Sequence, residues 1–181
     1  MIISLTGFMG CGKSSVGRKL SELLCCRFMD LDDEIVEREG RSIAEIFAVD
    51  GEGEFRRIEK EVLREILDTS SSSVLALGGG AVMTEGSEKM VHEGTLCVYL
   101  KASVDTLVEH LSGETSGRPL LNNQSVMSSE VETSPLRKRI LELMSLRAET
   151  YQRTAHITIE TDGKSIDEIA NEIIKLKHTI L

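Results

Sequence analysis

The sequence predicts a three-layer α/β/α sandwich on a five-stranded parallel sheet, and three observations carry that prediction. Short apolar runs of strand length alternate with longer segments of helical periodicity along nearly the whole chain, the pattern of successive βαβ units with right-handed crossovers. The first apolar run, Met1 to Leu5, leads into Gly7-Phe8-Met9-Gly10-Cys11-Gly12-Lys13-Ser14, which fits G-x-x-x-x-G-K-[ST] at every fixed position. Composition agrees: 40% apolar but only 3% aromatic residues describe a core of Leu, Ile, Val, Ala and Met. A single domain spanning residues 1–181 is expected from this length.

Taken in order, Met1 to Leu5 is the first strand, and the glycine-rich segment after it turns backbone N–H groups inward around phosphates. Lys13 reaches the outer two phosphates, and the Ser14 hydroxyl is a ligand for Mg²⁺. Ser15 to Leu24 follows as a helix whose N-terminus faces the phosphates, with Val16, Leu20, Leu23 and Leu24 on its apolar side. Arg27 to Leu31 reads as a second strand, ending in carboxylates at the sheet edge where open α/β sheets bind ligands. Asp30 and Asp32, two apart on an extended backbone, are expected to point the same way, although Asp32 and Asp33 taken alone could be helix caps.

The pattern turns helical from Asp33, breaks at Gly40, and restarts at Ser42 as N-cap, with Glu45 in the capping-box position. Glu52 to Leu67 is a longer helix with Phe55, Ile58, Val62, Leu63 and Ile66 inward. Its polar side carries Arg56, Arg57 and Glu59, and Glu59 either orients Arg56 from one turn away or forms an exposed pair with it. Thr69 to Ser73 is a loop and Val74 to Leu77 a buried strand ended by Gly78-Gly79-Gly80, where a ligand could approach the backbone closely. Thr84 to His92 is a helix, Thr95 to Leu100 a strand, and Val104 to Leu111 a helix. Periodicity then stops over residues 112–134, a length typical of a functional lid. Leu136 to Tyr151 is a helix, His156 to Glu160 the fifth strand, and Ser165 to Lys177 the closing helix.

Net charge excludes some partners. At −9 the chain lacks the basic footprint that nucleic acid or an anionic membrane surface demands. Small anions remain possible if arginines gather locally. The four cysteines, Cys11, Cys25, Cys26 and Cys97, have no metal-site spacing and read as reduced thiols. No apolar run approaches a membrane span and no basic leader precedes the first strand, so a cytoplasmic location is expected. His92, His110, His156 and His178 fall at element ends and read as surface residues.

A phosphate loop alone cannot separate a kinase from an ATPase or a GTPase, although the guanine-specifying N-K-x-D is absent from the sequence. Five further fragments decide more: Asp30-Leu31-Asp32, Phe55-Arg56-Arg57-Ile58-Glu59, Gly78-Gly79-Gly80-Ala81, Arg118-Pro119-Leu120-Leu121 and Arg147-Ala148-Glu149-Thr150-Tyr151. In this order they resemble the shikimate kinases, ATP-dependent kinases of aromatic amino-acid biosynthesis with a P-loop, nucleoside-monophosphate-kinase-like fold. The resemblance runs from Ile2 to about Ile174.

That resemblance implies transfer of phosphate from ATP to shikimate, giving shikimate 3-phosphate and ADP, with Mg²⁺ as cofactor. ATP would lie on Gly10, Cys11, Gly12, Lys13, Ser14 and Ser15, with Arg118 and Lys164 as further contacts. Ser14 and Asp30 would serve the metal. Asp32 would contact a shikimate hydroxyl and accept its proton, Arg56 and Arg147 would hold the shikimate carboxylate, and the backbone at Gly79 would bind the ring. Lys13, Asp32 and Arg118 form the implied catalytic set. The helical region about 31–68 would bind substrate and residues 112–134 would close as the lid, in a protein expected to be a monomer.

Taken alone, Arg56 and Arg147 would read as parts of solvated helix faces; the ordered set favours the pocket. The sequence departs from the family in having no lysine or arginine between Lys101 and Arg118, where many relatives carry an arginine that packs on adenine. The segment after Leu121 is also longer and more acidic than in compact members. A gluconate-type small-molecule kinase and a non-catalytic nucleotide-binding protein are the alternatives.

Overall fold

The computed structural model describes residues 1–69, 71–112 and 134–180. Five parallel strands, β1 (Ile2–Thr6), β2 (Arg27–Asp30), β3 (Ser73–Ala76), β4 (Leu96–Lys101) and β5 (Ile157–Glu160), pair in the order β2-β3-β1-β4-β5. All five residues of β1 are buried, as in a central strand covered on both faces. Its register sets Leu5 against Ala76 of β3 and Val98 of β4. Strands β2 and β3 lie on one side of β1 and β4 and β5 on the other, so the sheet's topological switch lies beside β1. The loop after β1 therefore opens into the crevice where such sheets take ligands.

The helices are α1 (Lys13–Leu23), α2 (Leu31–Glu39), α3 (Ile43–Val49), α4 (Gly51–Thr69), α5 (Ser87–Gly94), α6 (Val104–Ser112), α7 (Pro135–Thr154) and α8 (Ile166–Ile180). Helix α1 packs against α8, α5 packs against α7, and α4 receives α2 and α3. One continuous core joins Leu5, Leu20, Leu75, Leu100, Leu107 and Ile173. Among the described residues no helix is long and apolar enough to cross a membrane.

Several boundaries differ from the sequence reading for local reasons. Helix α1 starts at Lys13, because Gly12 at φ 93° turns the chain straight into the helix. Leu23 is 42% exposed, so the buried face of α1 is Val16, Gly17 and Leu20, and Leu23 does not belong to it. Gly17 sits mid-helix because a Cβ there would stand 2.5 Å from the Phe28 ring. Strand β2 ends at Asp30, whose carboxylate accepts from the Asp32 N–H and caps α2. Asp32 thus projects from a first helical turn and not from an extended strand. The segment after the glycine triplet first makes a 3-10 turn, Ala81–Met83, and α5 begins only at Ser87. At Ser42 the capping box forms as predicted. The proposed lid, residues 112–134, is bounded by Ser112 at the end of α6 and Ser134 at the cap of α7. Residues 113–133, Arg118 among them, lie outside the described residues.

Candidate active site

The ends of β1, β2 and β3, with α4, α7 and the loop before α8, enclose an open cleft of about 890 Å³. At one end is the phosphate loop. Gly7 adopts φ 139° and lies so close to β4 that a Cβ would meet the Leu100 carbonyl at 2.5 Å, so only glycine allows the turn. Gly10, Gly12, Lys13, Ser14 and Ser15 line the cleft, whereas Cys11 is buried beneath it with its Sγ 3.9 Å from the Lys13 Nζ. Lys13 folds back over the loop and donates to the Gly7 carbonyl at 2.9 Å and the Phe8 carbonyl at 3.0 Å. The Ser14 hydroxyl donates to Asp30 Oδ2 at 2.6 Å, which sets two hard oxygens side by side below the cradle.

At the other end, Asp32, Arg56, Gly79 and Arg147 line the same cleft. Asp32 is open to the water in the cleft, and its carboxylate has no hydrogen-bond partner among the described residues. The protein atoms around it nevertheless cost the carboxylate hydration, which raises the Asp32 pKa, and the charge of Asp30 raises it further. Arg56 and Arg57 are sequence neighbours with different fates. Arg57 pairs with Glu54 and Glu61 on the solvent side. Arg56 turns inward and donates from Nη1 to Glu59 Oε2 at 2.7 Å.

Glu59 is only 1% exposed, so the alternative of an exposed pair is excluded. Burial raises its pKa, and Arg56 opposes that rise. Its second oxygen, Oε1, is buried with no partner among the described residues. A Cβ on Gly78 would lie 2.8 Å from this oxygen and 3.0 Å from Asp32 Oδ1, so both carboxylates converge on a residue that must lack a side chain. A Cβ on Gly80 would stand 2.5 Å from the Arg56 guanidinium. The absence of a side chain at Gly78 and Gly80 thus lets these charged groups approach the backbone, and Gly79 between them stands against Met9 of the phosphate loop. Arg147, 8% exposed, donates to the Gly79 carbonyl at 3.4 Å.

Three contributors escaped the sequence reading. His110, exposed on α6 and lining the cleft, donates from Nδ1 to the Gly10 carbonyl at 2.8 Å. It occupies the stretch that lacks an arginine, and its position next to Leu111 was the available signal. Ile43 and Phe47 of α3, with Phe55, form an apolar wall of the cleft, the two rings 4.6 Å apart. Of these, the sequence marked only Phe55, as part of a helix's inward face. Tyr151, the last residue of a family fragment, donates its hydroxyl to the Gly79 carbonyl. Lys164 is at the cleft margin, where it pairs with Glu172 at 2.6 Å. His92, His156 and His178 are exposed as expected and line no part of the cleft; the first two stack on each other at 4.3 Å.

A phosphate cradle sharing one cleft with inward-turned arginines and an unpaired carboxylate is the arrangement of a P-loop kinase for a small anionic acceptor. The chain belongs to the shikimate kinase family, whose description, Shikimate kinase, matches residues 9–177. It is 42% identical over 173 residues to a shikimate kinase of Thermus thermophilus, covering 96% of this chain and 88% of that protein. Identity to the shikimate kinase of Dictyoglomus turgidum is 37% over 175 residues, covering 96% and 95%. Among solved structures, the shikimate kinase of Acinetobacter baumannii in complex with shikimate superposes with a TM-score of 0.87 at 34% identity, covering 98% of this chain and 93% of that one. That of Aquifex aeolicus superposes at 0.81 with 31% identity, covering 100% and 99%.

Proposed function

We propose that this protein transfers the γ-phosphoryl group of ATP to a hydroxyl of shikimate, forming shikimate 3-phosphate and ADP. The observation that carries this reading is the inward turn of Arg56 and Arg147 into the cleft that holds the phosphate loop, in a protein of net charge −9. Two inward-turned guanidinium groups are a means of gathering a small carboxylate against that field, because the planar fork matches a carboxylate bidentately.

The roles follow from position. The backbone of Gly10 to Ser15 and the N-terminus of α1 take the phosphates. Lys13 leaves the Gly7 and Phe8 carbonyls to neutralise charge on the transferring group. Asp32, raised in pKa and unpaired, receives the proton of the attacking hydroxyl. Arg56 and Arg147 hold the acceptor's carboxylate, and the Gly79 backbone meets its ring. Ser14 and Asp30 suit Mg²⁺, which binds through few protein oxygens and keeps several waters; when bound it supplies charge neutralisation at the phosphates. Arg118, outside the described residues, is assigned to the phosphates by the family resemblance alone, as is the closure of residues 112–134. Lys164 and His110 flank the nucleotide end, and His110 offers a flat ring where relatives present an arginine to adenine. Function as a monomer in the cytoplasm completes the proposal.

A coupled assay of ADP release tests it, with shikimate, gluconate, nucleoside monophosphates and water offered separately. ADP should form at an appreciable rate only with shikimate. Faster release with gluconate or a nucleotide would reassign the acceptor, and release with none would indicate a non-catalytic binding protein.

A further inference from the structure

The Gly78–Gly80 turn leaves one carbonyl without a backbone partner. Gly78 and Gly80 carbonyls accept from the Ala81 and Met83 N–H groups at 3.1 and 2.9 Å, which closes the 3-10 turn. The Gly79 carbonyl, between them, points at α7 and accepts from two side chains there, Tyr151 and Arg147. These residues are four apart and so share a helix face. Tyr151 is fully buried, its ring 5.3 Å from that of Tyr99 on β4, and burial keeps its phenol protonated well above the ordinary range. It is a permanent donor in a fixed place. On its other side Gly79 stands against the phosphate loop, where a Cβ would meet the Met9 backbone nitrogen at 3.3 Å.

We infer that Tyr151 is a positioning residue for the acceptor, acting through the Gly79 peptide and through Arg147; this role rests on the functional reading above. The described peptide bonds are trans, so holding the Gly79 carbonyl toward α7 directs the Gly80 N–H the opposite way. Neither the Gly79 nor the Gly80 N–H has a partner among the described residues, which leaves both as donors at the cleft wall. The phenol also satisfies the carbonyl that Arg147 reaches only at 3.4 Å. Arg147, beside the same phenol, is thereby released from the carbonyl and can turn to the carboxylate of the acceptor. Without the hydroxyl, the half-buried carbonyl would draw the guanidinium to itself.

Tyr151→Phe keeps the ring and its packing and removes only the donor. Steady-state kinetics with each substrate varied should show the KM for shikimate raised roughly threefold to tenfold, the scale of one neutral hydrogen bond, with the KM for ATP within about twofold of wild type. Tyr99→Phe, which removes the hydroxyl of the neighbouring ring, should leave both constants unchanged. An unchanged KM for shikimate in Tyr151→Phe would overturn this role while leaving the functional reading intact. So would a parallel rise in both constants with a large fall in Tm, or a variant that does not fold, since either would mark the hydroxyl as serving stability alone. A wild-type protein that leaves shikimate untouched would overturn the functional reading and this role together.

Discussion

Glu59→Gln separates the task of holding Arg56 from the task of holding the fold together. In the native protein Arg56 Nη1 donates to a carboxylate at 2.7 Å, while its second acidic neighbour, Glu52, is 3.4 Å away and more exposed. Glutamine still accepts from the charged guanidinium but brings no charge of its own, so the pair moves from the upper to the lower part of the range of about 1.5–3 kcal/mol for hydrogen bonds to charged groups, and the exchange removes about 1–1.5 kcal/mol of restraint on the guanidinium. If that restraint serves acceptor binding, the KM for shikimate should rise roughly fivefold to tenfold. Stability is a different balance. The variant loses an ion pair but also removes a buried carboxylate whose pKa is raised by burial and whose Oε1 lacks a partner among the described residues. These changes oppose each other, and for a domain of this size the Tm should move by less than about 4 °C. Glu59→Ala, by contrast, takes away the buried partner and leaves Arg56 only Glu52, so it should cost more stability than Glu59→Gln, up to about 3–5 kcal/mol. Kinetics with shikimate varied, beside a thermal melt, decide the matter: a folded Glu59→Gln with unchanged KM for shikimate would refute an orienting role.

Three further outcomes are expected. Asp32→Asn should lower turnover by roughly 10²–10⁴-fold while ATP affinity, measured by calorimetry, stays near wild type, because the phosphate loop is untouched. The Asp32 pKa is raised, first by lost hydration and then by the charge of Asp30, and as a proton acceptor Asp32 would work as the carboxylate. In wild type, kcat/KM should therefore decline on acidification at a higher pH than an ordinary aspartate would set, and a pH–rate profile lacking that early decline would count against Asp32 as proton acceptor. Arg56→Lys and Arg147→Lys should each weaken shikimate binding roughly tenfold, since an ammonium keeps the charge and loses the fork; unchanged binding constants in both would remove them from the carboxylate pocket. Gly80→Ala should raise the KM for shikimate with little change in Tm, because the atoms its methyl meets are the far end of the flexible Arg56 side chain, and a fall in Tm without a change in KM would contradict this.

The sheet and its helices were legible because buried parallel strands leave continuous apolar runs and surface helices leave a period near 3.6. The phosphate loop was legible because its geometry demands glycine, lysine and a hydroxyl at fixed spacing. Asp32 lines the cleft by a different route from the one its spacing suggested: strand β2 ends at Asp30, short of where its apolar pattern pointed, and the side chain reaches the cleft from the first turn of α2. Glu59 could not be settled from sequence, since a carboxylate three residues after an arginine looks alike whether the helix face is wet or buried. Only the tertiary placement of α4 against Gly78 and Gly80 decides it. His110 and Tyr151 each reach the cleft by a hydrogen bond to a backbone carbonyl, 100 and 72 residues away in sequence, a kind of contact that leaves no periodic signal. Leu23 was misplaced because a helix of this length has apolar residues at both edges of its buried stripe: Leu23 is exposed, while its neighbour Leu24 packs against the core.

Selection of shikimate as the phosphoryl acceptor by this cleft is tested most directly by competition. The protein would be incubated with limiting ATP, Mg²⁺ and equal concentrations of shikimate, gluconate and nucleoside monophosphates, and every acceptor analysed by mass spectrometry for an added phosphoryl group. The added group should appear on shikimate in an amount matching the ADP formed, with the other acceptors unmodified. Phosphate accumulating on gluconate or on a nucleotide while shikimate stays unmodified would contradict that selection.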